Sequence, residues 1–106
     1  MNDCIFCKIV AGEVPSEIEK ETDDLLVFKD IAPAAPIHLI IVPKKHLKDI
    51  SEDPGANWAA IGEMACLLAK EKGLSGFRLV HNAGDAAMVG HMHVHFLGGI
   101  SKDRKI

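Results

Sequence analysis

The chain lacks any excess of positive charge: 12 Lys and Arg stand against 15 Asp and Glu, a formal −3. Nucleic-acid binders usually carry a basic face, so composition gives no bulk reason for such a partner. It also lacks an apolar run approaching the roughly 20 residues of a membrane span. The longest candidate, Ile37 to Pro43, contains a histidine and runs into Lys44 and Lys45. The opening residues, MNDCIFCKIV, lack the basic and long apolar regions of a secretory leader. Cysteine is scarce and odd in number, at three, which argues against a disulfide framework. The expectation is a reduced, cytoplasmic, soluble protein with no nucleic-acid or membrane partner. With 48% hydrophobic and 25% charged residues, low-complexity disorder is excluded. A length of 106 residues fits one domain, expected over 1–106.

What the chain does have is histidine. There are six, and three fall within five residues, at His91, His93 and His95.

The elements around them can be placed by pattern. Residues 3–10 read as a short helix with Asp3 as N-cap. Residues 17–21 read as a weak strand. Leu25 to Phe28 and Ile37 to Val42 read as buried strands, the second stopped by Pro43. Pro54 to Lys72 reads as the one long helix, capped by Asp53, with Trp58, Ile61, Ala65 and Leu68 as its apolar stripe and Cys66 in the core or in dimer packing. Trp58 is expected to anchor that helix. Residues 77–81 and 91–97 read as strands, separated by a small-residue loop that starts at Asn82. The expected fold is α+β: a five-stranded, mainly antiparallel sheet with one long helix and a short N-terminal helix. No internal repeat or linker is evident.

His91-Met92-His93-Val94-His95-Phe96-Leu97 alternates strictly. On a strand, alternate residues share a face, so the imidazoles would form a row at about 6.6 Å spacing. Met92, Val94 and Phe96 would face the core. Two chemistries suit such a row. His-x-His on a strand can ligate zinc. Neutral imidazole can also act as a nucleophile at phosphorus, with its neighbours binding phosphate and moving protons. The preceding loop, rich in small residues, suits a phosphate. A metal-dependent hydrolase would need a further carboxylate beside the row, and none flanks it in the sequence.

At these residues the sequence resembles the histidine-triad (HIT) superfamily, whose motif alternates three histidines with apolar residues and ends in two apolar positions. Phe28-Lys29-Asp30-Ile31 resembles the family's ribose-binding strand end, and Pro36-Ile37-His38 through Ile41-Val42-Pro43-Lys44-Lys45-His46 its central strand and basic turn, while Phe77-Arg78-Leu79-Val80 before Asn82 and Gly98-Gly99 after the triad resemble its Hint branch. The resemblance implies a nucleotide hydrolase acting at the α-phosphate of purine nucleoside phosphoramidates. It implies His93 as nucleophile through a nucleotidyl-histidine intermediate. His95 would contact the phosphate and leaving group, His38 would support the nucleophile, and His91 would complete the row. Asp30 would meet the ribose hydroxyls. Ile5, Phe6, Ile9, Phe28, Ile31 and Ile40 would wall the base, with Asn82, Met88 and Val89 near the phosphate. A homodimer and a purine nucleotide (AMP or GMP) conjugate are the implied partners, with no organic cofactor. The alternatives are a nucleotide-binding module with weak catalysis and a dinucleoside polyphosphate hydrolase. The sequence departs from the family at one place. Ala86-Ala87-Met88-Val89 stands where Gly-Gln-Ser/Thr-Val is usual, so a thioether replaces a hydroxyl.

Cys4-x-x-Cys7 has the spacing of a zinc half-site, although two buried thiols or a redox pair share that spacing. By the family resemblance, Cys4, Cys7, His46 and His91 would form a structural, non-catalytic zinc site. His81 receives no role, and Lys44, Lys45 and Lys48 read as a solvated basic turn.

Overall fold

Residues 25–28 and 39–43 are apolar without a polar gap, and the reason is that both faces of the sheet are covered there. The computed structural model describes residues 3–105. A short helix α1 (Ile5–Val10) leads into β1 (Ile18–Glu21), β2 (Leu25–Lys29) and β3 (Ile37–Pro43). The long helix α2 (Ala56–Glu71) follows, then β4 (Phe77–His81) and β5 (Val94–Gly98). The strands form one sheet in the order β1-β2-β3-β5-β4, antiparallel at every pairing. The expected α+β fold is therefore present.

Alternation divides the two layers. Leu25, Val27, Leu39, Ile41, Val94 and Phe96 face α2 and pack on Ile61, Met64, Ala65 and Leu68. Leu26, Phe28, Ile40 and Val42 face the other way and pack on Phe6 of α1. Val27, Ile41, Val94 and Phe96 are fully buried. Each large apolar side chain so buried contributes roughly 2 kcal/mol. A six-residue helix such as α1 is too short to be stable alone. Phe6, buried edge-on against Phe28 at 5.6 Å between ring centroids, ties it to the sheet.

Several expectations shift at the edges of elements. Cys4, not Asp3, caps α1: its Sγ accepts from the Cys7 N–H. Helix α2 starts at Ala56 rather than Pro54, behind Gly55 in a left-handed conformation (φ 113°) that glycine alone adopts freely. Gly55 has no side chain to cap with, so Asp53 reaches forward and accepts from the N–H groups of Asn57 (3.3 Å) and Trp58 (2.8 Å). Cys66 is exposed, which removes it from the core. Trp58 is 40% exposed and meets His81 edge-on, so it sits at the rim of the helix contact rather than anchoring it. Among the described residues, no helix is long and apolar enough to cross a membrane.

The largest correction concerns the histidine row. Strand β5 begins at Val94, so His91 and His93 precede it. Met92, Val94 and Phe96 do face the α2 core, each fully buried. The opposite face is closed to solvent at its first two histidines, however. Helix α1 lies over it, leaving His91 at 0% and His93 at 5% exposure.

Candidate active site

Outside the strand ladder, the carbonyls of His91 and His93 need other partners, since a buried backbone group left unpaired is costly. Imidazoles supply them. His93 Nδ1 lies 2.7 Å from the His91 carbonyl, which can only accept, so Nδ1 carries the proton and Nε2 keeps a lone pair. His91 Nε2 lies 2.8 Å from the Pro43 carbonyl, so its lone pair sits on Nδ1. The two rings therefore present opposite nitrogens to their surroundings.

His93 and His95 open onto a cleft of about 600 Å³ on the α1 side of the sheet. Ile5, Phe6, Ile9, Phe28, Asp30, Ile31, Ile40, Asn82, Met88, Val89, His93 and His95 all line it. Every residue expected from the sequence to meet the nucleotide is thus brought to one cavity. Val14, Pro15, Ser16, Lys29 and Ala32 also line it and were not foreseen. Val14 to Ser16 follow α1 as an irregular segment, which has no periodicity to read. The Phe6 ring stands edge-on to His93 at 4.9 Å, so α1 covers the imidazole as well as walling the cleft. Burial pushes the pKa of His93 and of His95 below the ordinary histidine value, His95 also through its histidine neighbours. Both rings are favoured in the neutral form, the form in which an imidazole can attack.

His38 lies behind His95. Its Nδ1 accepts from the Ala34 N–H at 2.9 Å, so the proton of the neutral ring is on Nε2. That nitrogen stands 2.9 Å from His95 Nδ1 and 3.3 Å from Asp30 Oδ2. His38 therefore donates into the pair, and His95 is left with its own proton on Nε2. Asp30, His38 and His95 bring three potential ligand atoms together. The tautomer argues against a metal there, because the His38 lone pair faces Ala34 rather than the cluster. Asp30 faces His38 through one oxygen and accepts from the Ala32 N–H through the other.

His91 turns away from the row toward a second cluster. Its Nδ1 lies 3.4 Å from both Cys4 Sγ and Cys7 Sγ, and His46 Nδ1 lies 3.1 Å from Cys7 Sγ. All four ligand atoms fall within 4.8 Å of one another. A tetrahedral zinc with ordinary bond lengths requires sulfur–nitrogen edges of about 3.5 Å. The free lone pair on His91 Nδ1, and the N–H of Cys7 donated to Cys4 Sγ, both suit a bound cation. Burial pushes the Cys4 thiol pKa up, an effect that a coordinated cation reverses. The donor set fits a metal.

Two residues matter that the sequence pointed to weakly or not at all. Asp49 is buried and accepts from the N–H of Ser51, its hydroxyl, and the N–H of Gly84. It thereby ties the turn after β3 to the start of the loop carrying Met88. Those bonds hold its carboxyl down at about 2, so the clamp is charged above pH 4 and is lost only as the pH falls toward 2. His81 bonds the backbone at two points, described below.

A sheet of this order, with a triad histidine bonded to backbone and aimed into a nucleotide-sized cleft, defines a histidine-triad protein. The HIT domain description matches residues 11–102, and the chain belongs to that family. It is 38% identical to Protein HitA of Neisseria gonorrhoeae, over 92% of this chain and 97% of that one. Among solved structures it is similar to a HIT family hydrolase from Clostridium thermocellum. That match has a TM-score of 0.89 and 38% identity, and covers 100% of this chain and 98% of the other. A HIT family hydrolase from Legionella pneumophila superposes with a TM-score of 0.87 at 42% identity, covering 93% and 95% of the two chains.

Proposed function

We propose that the protein hydrolyses purine nucleoside phosphoramidates, or closely related nucleotide conjugates, at the α-phosphate. The observation that carries this reading is the single tautomer of His93, with its Nε2 lone pair on the wall of the cleft. Nε2 forms a bond to phosphorus as the bond from phosphorus to the leaving amine breaks. The amine leaves with a proton taken from water at the open mouth. His95 Nε2–H holds a phosphoryl oxygen, oriented by His38 behind it. Water then cleaves the histidine–phosphorus bond and releases the nucleoside monophosphate. The apolar walls from Phe6, Phe28 and Ile40 take the base, and Asp30 at the cleft's edge takes the ribose. The names of the Clostridium and Legionella structures support a hydrolase. Mass spectrometry of protein quenched during turnover of an adenosine phosphoramidate tests it. The expected product is a nucleotidyl adduct on His93, and an adduct on any other residue overturns the assignment.

Zinc is the metal proposed for Cys4, Cys7, His46 and His91, in a structural role. It would pin α1, and with it one wall of the cleft, to the sheet.

Met88 is fully exposed on the loop that faces the phosphate, where the family usually has a hydroxyl. Restoring it in Met88→Ser is expected to raise phosphoramidate turnover by about tenfold, the value of one well-placed hydrogen bond. Steady-state hydrolysis rates decide this, and an unchanged rate removes Met88 from the account.

The chain is also proposed to form a homodimer. Strand β4 is an edge of the sheet, with Phe77 and Leu79 both nearly two-fifths exposed, and Trp58 and Leu67 of α2 similarly exposed. Unpaired apolar edges favour strand pairing between copies. Sedimentation equilibrium should give twice the chain mass for the wild type and a monomer for Leu79→Lys. A monomeric wild type at micromolar concentration refutes the dimer.

A further inference from the structure

His81 has no part in the chemistry above, yet it makes more backbone contacts through its ring than any other histidine described here. It ends β4, and the ladder with β5 stops at the His81–Val94 pair. The chain then leaves the sheet at Asn82. No N–H from β4 remains opposite the His93 carbonyl. The His81 ring fills that gap. Its Nδ1 lies 2.9 Å from the His93 carbonyl, and its Nε2 lies 3.1 Å from the Ile50 N–H. A carbonyl only accepts and an amide N–H only donates. The ring is therefore neutral, protonated on Nδ1, and joined at both ends to backbone. Trp58 packs edge-on against it at 5.6 Å.

We infer that His81 is a positioning residue for His93, holding the nucleophile's own backbone carbonyl to the α2 side of the sheet. The inference rests on the reading of His93 as nucleophile. Its logic is mechanical. His93 is held at its imidazole by the His91 carbonyl and at its main chain by the His81 ring. The ring bond fixes which nitrogen faces the cleft. The main-chain bond fixes where that nitrogen lies. A nucleophile displaced by about 1 Å can lose on the order of 100-fold in rate without losing substrate affinity.

Three substitutions separate the two contacts. In His81→Asn the side-chain amide can still donate near the Nδ1 position to His93, but does not reach Ile50. In His81→Gln the amide reaches the Nε2 position and can accept from Ile50, while the donor to His93 is lost. His81→Leu removes both. Each variant is measured for kcat and KM with an adenosine phosphoramidate, for AMP affinity by calorimetry, for Tm, and for the nitrogen-15 shifts of the His93 ring. The Leu and Gln variants are expected to lose about 10- to 100-fold in kcat, with KM and AMP affinity within about threefold of wild type. The Asn variant is expected to recover kcat to within about threefold of wild type. The His93 ring should keep its Nδ1–H tautomer in every variant, with its nitrogen-15 shifts displaced from the wild-type values in Gln and Leu and restored in Asn. Losses that track Tm equally in Asn and Gln would reduce His81 to a structural role and overturn the inference. Unchanged kcat in His81→Leu would do the same. A wild type without phosphoramidate turnover would sink the proposed reaction instead, and the His93 shifts would still decide the role of His81.

Discussion

His93→Ala is expected to lower phosphoramidate turnover by on the order of 10⁴-fold, with AMP affinity staying within a few-fold of wild type. The size follows from the role. A covalent nucleophile is used only in the reaction, so its removal costs what a triad member costs in other covalent hydrolases. The affinity is spared because the walls that take the base belong to α1, β2 and β3 rather than to His93. The substitution also leaves the His91 carbonyl without its donor, which costs about 1–3 kcal/mol of stability. Tm must therefore be measured beside the rate. A folded variant that keeps more than a tenth of wild-type turnover would show that His93 is not the attacking group.

Metal removal should have the second largest effect. With free zinc at about a thousand times its dissociation constant, a site made only in the folded chain adds about 4 kcal/mol. For a domain of this size that is on the order of 20 °C in Tm. Chelation, or Cys7→Ser, is expected to lower Tm by that amount and to abolish zinc in elemental analysis. Because Phe6 and Ile5 of α1 wall the cleft, KM should rise several-fold. The change in kcat should be small, since neither His93 nor His95 is among the four ligands. Wild-type protein purified without metal, or a Tm unmoved by chelation, would refute the zinc assignment. A large fall in kcat at unchanged KM would instead point to the metal acting on His93 through His91.

The parts legible in the sequence were those governed by periodicity and by motif. Alternation placed Met92, Val94 and Phe96 in the core, and the apolar runs of β2 and β3 marked strands covered on both sides. Spacing brought Cys4 and Cys7 together, and the family motif matched the residues of the cleft. What alternation could not reveal was the layer above the histidines. A strand pattern says that three rings share a side, not that Phe6 of a helix some 85 residues away will close over two of them. Helix ends were misplaced for a local reason. Asp53 looks like a cap because it is one, but it acts from three residues before the helix. His81 was opaque because its function depends on where β4 stops. That is set by the departure of the chain at Asn82, and no residue type announces it.

Four histidines, His38, His81, His91 and His93, each hold a main-chain group through at least one ring nitrogen. The consequence concerns rotation. A half-turn of the His93 ring about its Cβ–Cγ bond would exchange nitrogen for carbon at the His91 carbonyl and leave that oxygen bare. The same turn in His91 would strip the Pro43 carbonyl. Such rings have one orientation and do not sample its mirror. The Nε2 lone pair of His93 faces the cleft before any substrate arrives, so the proposed attack does not have to wait for a ring to turn over.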